Sequence, residues 1–144
     1  MPLPDSPRPV RTRSRYALAT LGVIAMGLAS RHWHGLFPSG LGKYPGDALW
    51  CAMVFFALGA LRPAASTAGN AALALGISFC IEFLKLWQAP WLVEVRHTTL
   101  GHLVFGHVFS WQNLVAYAVG AALAAAVELA VFAGMSRLAA RRGV

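Results

Sequence analysis

The stretch Asn113-Leu-Val-Ala-Tyr-Ala-Val-Gly-Ala-Ala-Leu-Ala-Ala-Ala-Val-Glu-Leu-Ala-Val-Phe-Ala-Gly134 decides the fold. It carries one charged side chain, Glu128. Its length suits a helix crossing a hydrocarbon core roughly 30 Å thick. Its alanines (Ala118, Ala121, Ala122, Ala124, Ala125, Ala126) and Gly120 offer a small-residue face. Such a face lets helices approach closely where apolar side chains gain little by leaving lipid.

The rest of the chain agrees with that reading. Of 144 residues, 58% are hydrophobic and 12% charged, with mean hydropathy +0.59. An average soluble domain carries about 25% charged residues. The composition excludes a soluble globular domain, a disordered chain and a disulfide-rich scaffold. Cys51 and Cys80 both lie in apolar runs and read as small hydrophobes without a disulfide.

Further spans are expected at Tyr16–Ser30, Asp47–Leu61 and Ala68–Trp87. The first is short, about 22 Å of helix, with Arg15 and Arg31 placed to snorkel at its ends. It follows Arg8, Arg11, Arg13 and Arg15, as a signal peptide would, but no clear small-residue cleavage site follows, so it reads as retained. Residues 31–46 form a glycine- and proline-rich loop, and Arg62-Pro63 ends the second span. Residues 88–99 read as polar and irregular. Residues 100–109 are apolar but too short to cross, which suits a re-entrant or interfacial helix. The expected fold is an all-α membrane bundle of four transmembrane helices plus that short helix. Residues 16–136 form the domain, between basic tails at 1–15 and 137–144.

The net charge of +7 follows this topology and not a nucleic acid, since no recognition motif accompanies it. With both termini cytoplasmic, Arg8, Arg11, Arg13, Arg15, Arg62, Arg137, Arg141 and Arg142 fall inside. Arg31, Lys43, Lys85 and Arg96 fall outside. The excess of inner cations fixes the orientation. Trp33, Trp50, Trp87, Trp91 and Trp111 then sit mostly at outer boundaries, as an aromatic belt would.

The same topology gathers polar residues at one level. Arg31 ends the first helix and Asp47 opens the second. Glu82 and Lys85 close the third, with Gln88, Glu94 and Arg96 in the loop beyond. Asn113 and Tyr117, spaced i,i+4, share a face at the start of the fourth. A carboxylate in lipid must be paired or neutral, and Lys85 and Arg96 are the expected partners of Glu82. Three readings of the cluster remain open. It is an ion-pair network holding short helices together, a polar pocket open to the outer leaflet, or a path for protons or ions. In the pocket reading Arg96, Arg31 or Lys43 receives a phosphate or carboxylate, and the acids orient a hydroxyl or amine.

Glu128 is expected to snorkel towards Arg137 or water. His97, His102 and His107 recur every five residues and would not share one helical face, so no zinc site is expected. Ser78 and Ser110 lack a nucleophile elbow, and no phosphate-binding or dinucleotide glycine motif occurs. No catalytic residue, metal ligand or cofactor is expected.

Four motifs occur in order: Gly42-Lys-Tyr-Pro-Gly-Asp-Ala-Leu-Trp50, Glu82-Phe-Leu-Lys-Leu-Trp-Gln-Ala-Pro-Trp91, Arg96-His-Thr-Thr-Leu-Gly101 and Trp111-Gln-Asn-Leu-Val-Ala-Tyr-Ala-Val-Gly120. Together they resemble the bacterial membrane family known as domain of unknown function 2809, over roughly residues 20–130. More loosely, the order of acid, arginine and glycine-containing helix is similar to VanZ-like proteins, associated with glycopeptide resistance and the cell envelope. The resemblance implies an inner-membrane protein of four or five helices, with no established reaction. It singles out Asp47, Trp50, Glu82, Arg96, Thr99, Gly101 and Tyr117. The family pattern has Gln where Lys85 stands and Asp where Asn113 stands.

The ligand-binding candidates are therefore Arg31, Asp47, Trp50, Glu82, Lys85, Arg96, Thr99, Asn113 and Tyr117. Two function classes follow: binding or moving an envelope lipid or small polar ligand, or a structural accessory subunit. The partners expected are membrane lipid and, through the alanine face of the fourth span, a second copy or partner subunit. A membrane-embedded enzyme stands third, since acids and bases are present without an evident nucleophile.

Overall fold

The computed structural model describes residues 10–33 and 35–141. The parts of the expected basic tails at 1–9 and 142–144, with Arg8 and Arg142, lie outside the described residues. The described chain is helical: α1 (Arg13–His32), α2 (Tyr44–Leu61), α3 (Thr67–Leu84), α4 (Pro90–His97), α5 (Thr99–Phe105) and α6 (Trp111–Arg141). A 3-10 turn at Ser39–Leu41 lies between α1 and α2.

Three helices are long and apolar enough to cross a membrane: α2, α3 and α6. The most apolar part of α6 has a mean hydropathy of 2.1. The helix of 31 residues is about 46 Å long, so it outruns the hydrocarbon core and carries Arg137 and Arg141 beyond it. The expectation of four spans meets three by this measure. α1 is a helix of 20 residues, but Arg13, Arg15 and Arg31 dilute its apolar character.

Two further boundaries differ from the sequence reading. α3 stops at Leu84, and residues 85–89 turn the chain before Pro90. The stretch expected to be irregular contains α4, which Pro90 opens in the first turn, where a missing N–H costs nothing. Thr98 then caps α5, its Oγ accepting from the Gly101 N–H at 3.0 Å. The short helix expected near 100–109 is α5, and Gly106, at φ +59°, ends it.

α1 and α3 run antiparallel to α2, whereas α6 runs parallel to it. Ser66 caps α3 by accepting from the Gly69 N–H, and the turn at 62–66 reverses α2 into α3. α2 is central, packing on α1, α3 and α6. Cys51, Phe55, Ala74, Tyr117, Ala121 and Ala124 form the buried core. Close approach depends on missing side chains. A Cβ on Gly120 would collide with the Ala48 carbonyl of α2. A Cβ on Gly59 would strike the Tyr16 ring of α1. Of the small residues of α6, Gly120, Ala121 and Ala124 thus pack inside the bundle, whereas Ala118, Ala122 and Ala126 are exposed.

Gly120→Ala therefore drives α2 and α6 apart, at about 1–3 kcal/mol. Gly76, where an added Cβ would meet no atom within 4 Å, is the control. Thermal unfolding in detergent should show a lower Tm for Gly120→Ala, and an unchanged or raised Tm for Gly76→Ala.

Candidate functional site

The C-terminal end of α3 meets the N-terminal ends of α2 and α6, and there Glu82 is fully buried. Its carboxylate accepts four hydrogen bonds. Oε1 takes the Ser110 backbone N–H at 2.9 Å and the Asn113 side-chain amide at 3.0 Å. Oε2 takes Lys85 Nζ at 2.5 Å and the Tyr117 hydroxyl at 2.7 Å. The i,i+4 spacing of Asn113 and Tyr117 delivers both side chains to one carboxylate. Lys85 reaches it under Gly106, where an added Cβ would lie 3.1 Å from the lysine Cε.

Arg96, expected to pair with Glu82, is instead directed to the end of α3. It is buried, and Nη2 donates to the Leu84 carbonyl at 2.6 Å. A cation suits a helix C-terminus, where carbonyls lack partners. Its Nε has no partner.

Beside the Glu82 cluster lies a cavity of about 640 Å³, within the range of small-molecule sites. Arg31, Asp47, Trp50, Lys85, Asn113 and Tyr117 line it. The end of α1 and start of α2 meet there, with Gly46 beside Ser30 and Arg31. Lys43, His102 and His107 join the lining, although sequence reading set the histidines aside. Glu82 and Arg96 are buried and do not line it, and neither does Thr99, exposed at the start of α5. Six of the nine sequence candidates thus converge on one space.

That space is incompletely satisfied. Asp47 Oδ2, Trp50 Nε1 and Asn113 Oδ1 are buried without a protein partner, and all three residues line the cavity. Buried polar atoms without partners are uncommon, and each is expected to meet water, an ion or a ligand. Two acceptors and one donor stand next to the cations of Arg31, Lys43 and Lys85. This arrangement suits an anionic group that also carries hydroxyl or amine donors.

Sequence reading separates the three histidines by helical angle, but the structure brings them together. His97 ends α4, His102 lies in α5 and His107 follows it, so the chain turns twice between them. The His107 ring centroid is 5.7 Å from that of His97 and 4.7 Å from that of His102. Among the described residues no group of three metal-ligating side chains is placed to hold an ion. Desolvation, then the charges of His102, His97 and Arg96, pushes the His107 pKa below the ordinary histidine value.

A second buried carboxylate lies towards the other end of the bundle, and sequence reading misplaced it. Glu128 is 3% exposed and faces inward, away from Arg137. Arg11, 117 residues earlier, grips it through Nε at 2.6 Å and Nη2 at 2.7 Å. Thr67 adds a bond at 2.5 Å, and the Tyr16 hydroxyl adds another. Arg11 also donates to the carbonyls of Pro63 and Ala65. The hydrogen bond with Glu128 raises the Arg11 pKa further, so the guanidinium stays charged. Arg11, expected in a free tail, is 5% exposed. No atom of this cluster is left without a partner among the described residues. A satisfied network of this kind holds structure together, whereas the cavity has polar atoms to offer. Asn70, also buried on the α3 face that bears Glu82, has no partner for its amide and was not singled out from the sequence.

The family model described as Protein of unknown function (DUF2809) matches residues 37–121, more than half of the chain. No solved structure matches the chain.

Glu82→Gln leaves the buried Lys85 ammonium without its counter-charge, a loss of about 3–5 kcal/mol. Adding Lys85→Gln removes the stranded charge and should recover much of that stability, read as Tm in detergent. A histidine with a depressed folded pKa contributes stability that is complete above its unfolded pKa and is lost as pH falls below it. His107→Gln should therefore flatten the fall in Tm between about pH 6.5 and more acidic values. The effect is small, since His107 is exposed.

Proposed function

The chain belongs to this family of unknown function, and from that premise we propose that it is a multi-pass membrane protein that binds an anionic, hydroxyl-bearing ligand in the cavity beside Glu82. The observation that carries the reading is the set of unpartnered polar atoms of Asp47, Trp50 and Asn113 around a cationic cavity. The contrast with Glu128, whose donors close completely around it, supports the assignment. In this reading Arg31 and Lys43 receive a phosphate or carboxylate. Asp47 and Asn113 accept from hydroxyls, and Trp50 donates. Lys85 adds positive charge from behind, its ammonium held by Glu82.

The same proposal places α1 as a fourth crossing. Its 20 residues give about 30 Å of helix. It lies along α2, and Leu18, Leu21 and Leu28 face outward where lipid would cover them. Arg13, Arg15 and Arg31 stand at its ends, placed to snorkel. With the excess of arginine at the chain ends on the cytoplasmic side, the cavity opens at the outer leaflet of a bacterial inner membrane. Trp33, Trp87, Trp91 and Trp111 are exposed, which fits an interfacial belt around that opening.

Titration calorimetry with glycerol phosphate tests the pocket. Wild type should bind it, and Arg31→Gln with Lys43→Gln should weaken binding about tenfold or more, as expected for loss of charge-assisted hydrogen bonds. Both residues are exposed, so the double variant should fold. Absence of binding to wild type, or equal binding to both proteins, overturns the reading.

A further inference from the structure

A second concavity, of about 580 Å³, lies between α1, the 3-10 turn, α2 and α6. Its walls are almost wholly apolar, with Met26, Leu41, Leu49, Val115, Val119 and Leu123 prominent. It adjoins the polar cavity, because Phe37 and Pro45 line both. The small side chains of Ala48 and Ala116 make room in its floor. A polar, cationic chamber therefore borders an apolar groove on the side of the bundle.

We infer that the two spaces form one site for an anionic amphiphile, with its head group in the polar cavity and one acyl chain in the groove. This rests on the pocket reading above and adds the class of ligand. Three observations support this occupant. First, the shared wall of Phe37 and Pro45 places a head group and a chain within reach of each other. Second, the cavity end carries Arg31, Lys43 and Lys85, whereas the groove carries no charged residue. That polarity matches a lipid with an anionic head and is wasted on a wholly apolar or wholly polar ligand. Third, along α6 the groove extends from Gln112 to Leu123, about 16 Å of helix. That is about half of the roughly 30 Å hydrocarbon core, the depth of one leaflet. An acyl chain entering from the head-group level would fill it without crossing the midplane.

The head-group chemistry narrows the class. A phosphate between Arg31 and Lys43 would leave Asp47 and Asn113 needing hydroxyl donors. A glycerol head group bears such hydroxyls, and a choline head group has none.

Native mass spectrometry in uncharged maltoside micelles tests this with phosphatidylglycerol and phosphatidylcholine as probes. Wild type should retain phosphatidylglycerol about tenfold more strongly than phosphatidylcholine, the scale of a lost charge-assisted contact. Val119→Trp fills the groove from an exposed position on α6, and Val127→Trp, exposed on the same helix outside the groove, is its control. Val119→Trp should lower phosphatidylglycerol retention about tenfold, as expected for displacing about two methylenes. Val127→Trp should leave it unchanged, and glycerol phosphate binding should be normal in both variants.

Equal retention of the two lipids by wild type, or undiminished phosphatidylglycerol in Val119→Trp, overturns the amphiphile inference. Glycerol phosphate binding by wild type would still leave the polar pocket standing. A dimer that Val119→Trp dissociates, with lipid retention unaffected, assigns the groove to a second copy of the chain and also overturns it. Loss of glycerol phosphate binding in wild type removes the pocket reading itself.

Discussion

A carboxylate inside an apolar bundle must be surrounded by donors, and Glu82 imposes that condition on the rest of the structure. It draws Lys85 from its own helix end, the Ser110 N–H from the segment before α6, and Asn113 and Tyr117 from α6. These bonds set the register between α3 and α6 and fix where the chain after α5 must pass. Glu128 imposes the same condition nearer the other end through Arg11, Thr67 and Tyr16. The α3–α6 pair is thus fastened by two buried carboxylates, one near each end.

Between these fastenings the packing relies on small residues. Gly120 admits the Ala48 carbonyl, and Gly59 admits the Tyr16 ring. Apolar side chains gain little by leaving lipid for a helix interface, so close contact has to come from shape. The close seating of α2 on α6 brings Asp47 and Trp50 to the level of Asn113 and Tyr117, where all four line the cavity. Packing at Gly120 and the chemistry of the cavity are therefore linked through the position of one helix.

The two carboxylate clusters differ in what they leave over. Around Glu128 the hydrogen bonds close, and the result joins the segment before α1, the α2–α3 turn and α6. Around Glu82 the carboxylate is satisfied, but its neighbours Asp47, Trp50 and Asn113 keep unpartnered atoms beside an open cavity. An apolar groove also adjoins the cavity at Phe37 and Pro45. A purely structural ion-pair network would call for neither feature, which is why the binding reading is preferred.

Hydropathy is a sum over neighbours in the chain, so the sequence alone determined the apolar, helical character, the approximate places of α2, α3 and α6, and that Arg31, Asp47, Glu82 and Asn113 gather at one end of them. The i,i+4 spacing likewise marked Asn113 and Tyr117 as partners on one face. Hydrogen-bond partners across the bundle depend on approach between distant segments, and local periodicity does not carry that information. Only the tertiary structure turned Arg96 to the Leu84 carbonyl, paired Glu128 with Arg11 across 117 residues, and gathered His97, His102 and His107. The helix at Pro90–His97 was hidden because its polar residues mimic a loop, and only its packing shows that Leu92 and Arg96 are buried on one face. The groove depended on the tertiary structure most of all, since its walls come from α1, the 3-10 turn, α2 and α6, and exist only where those elements meet.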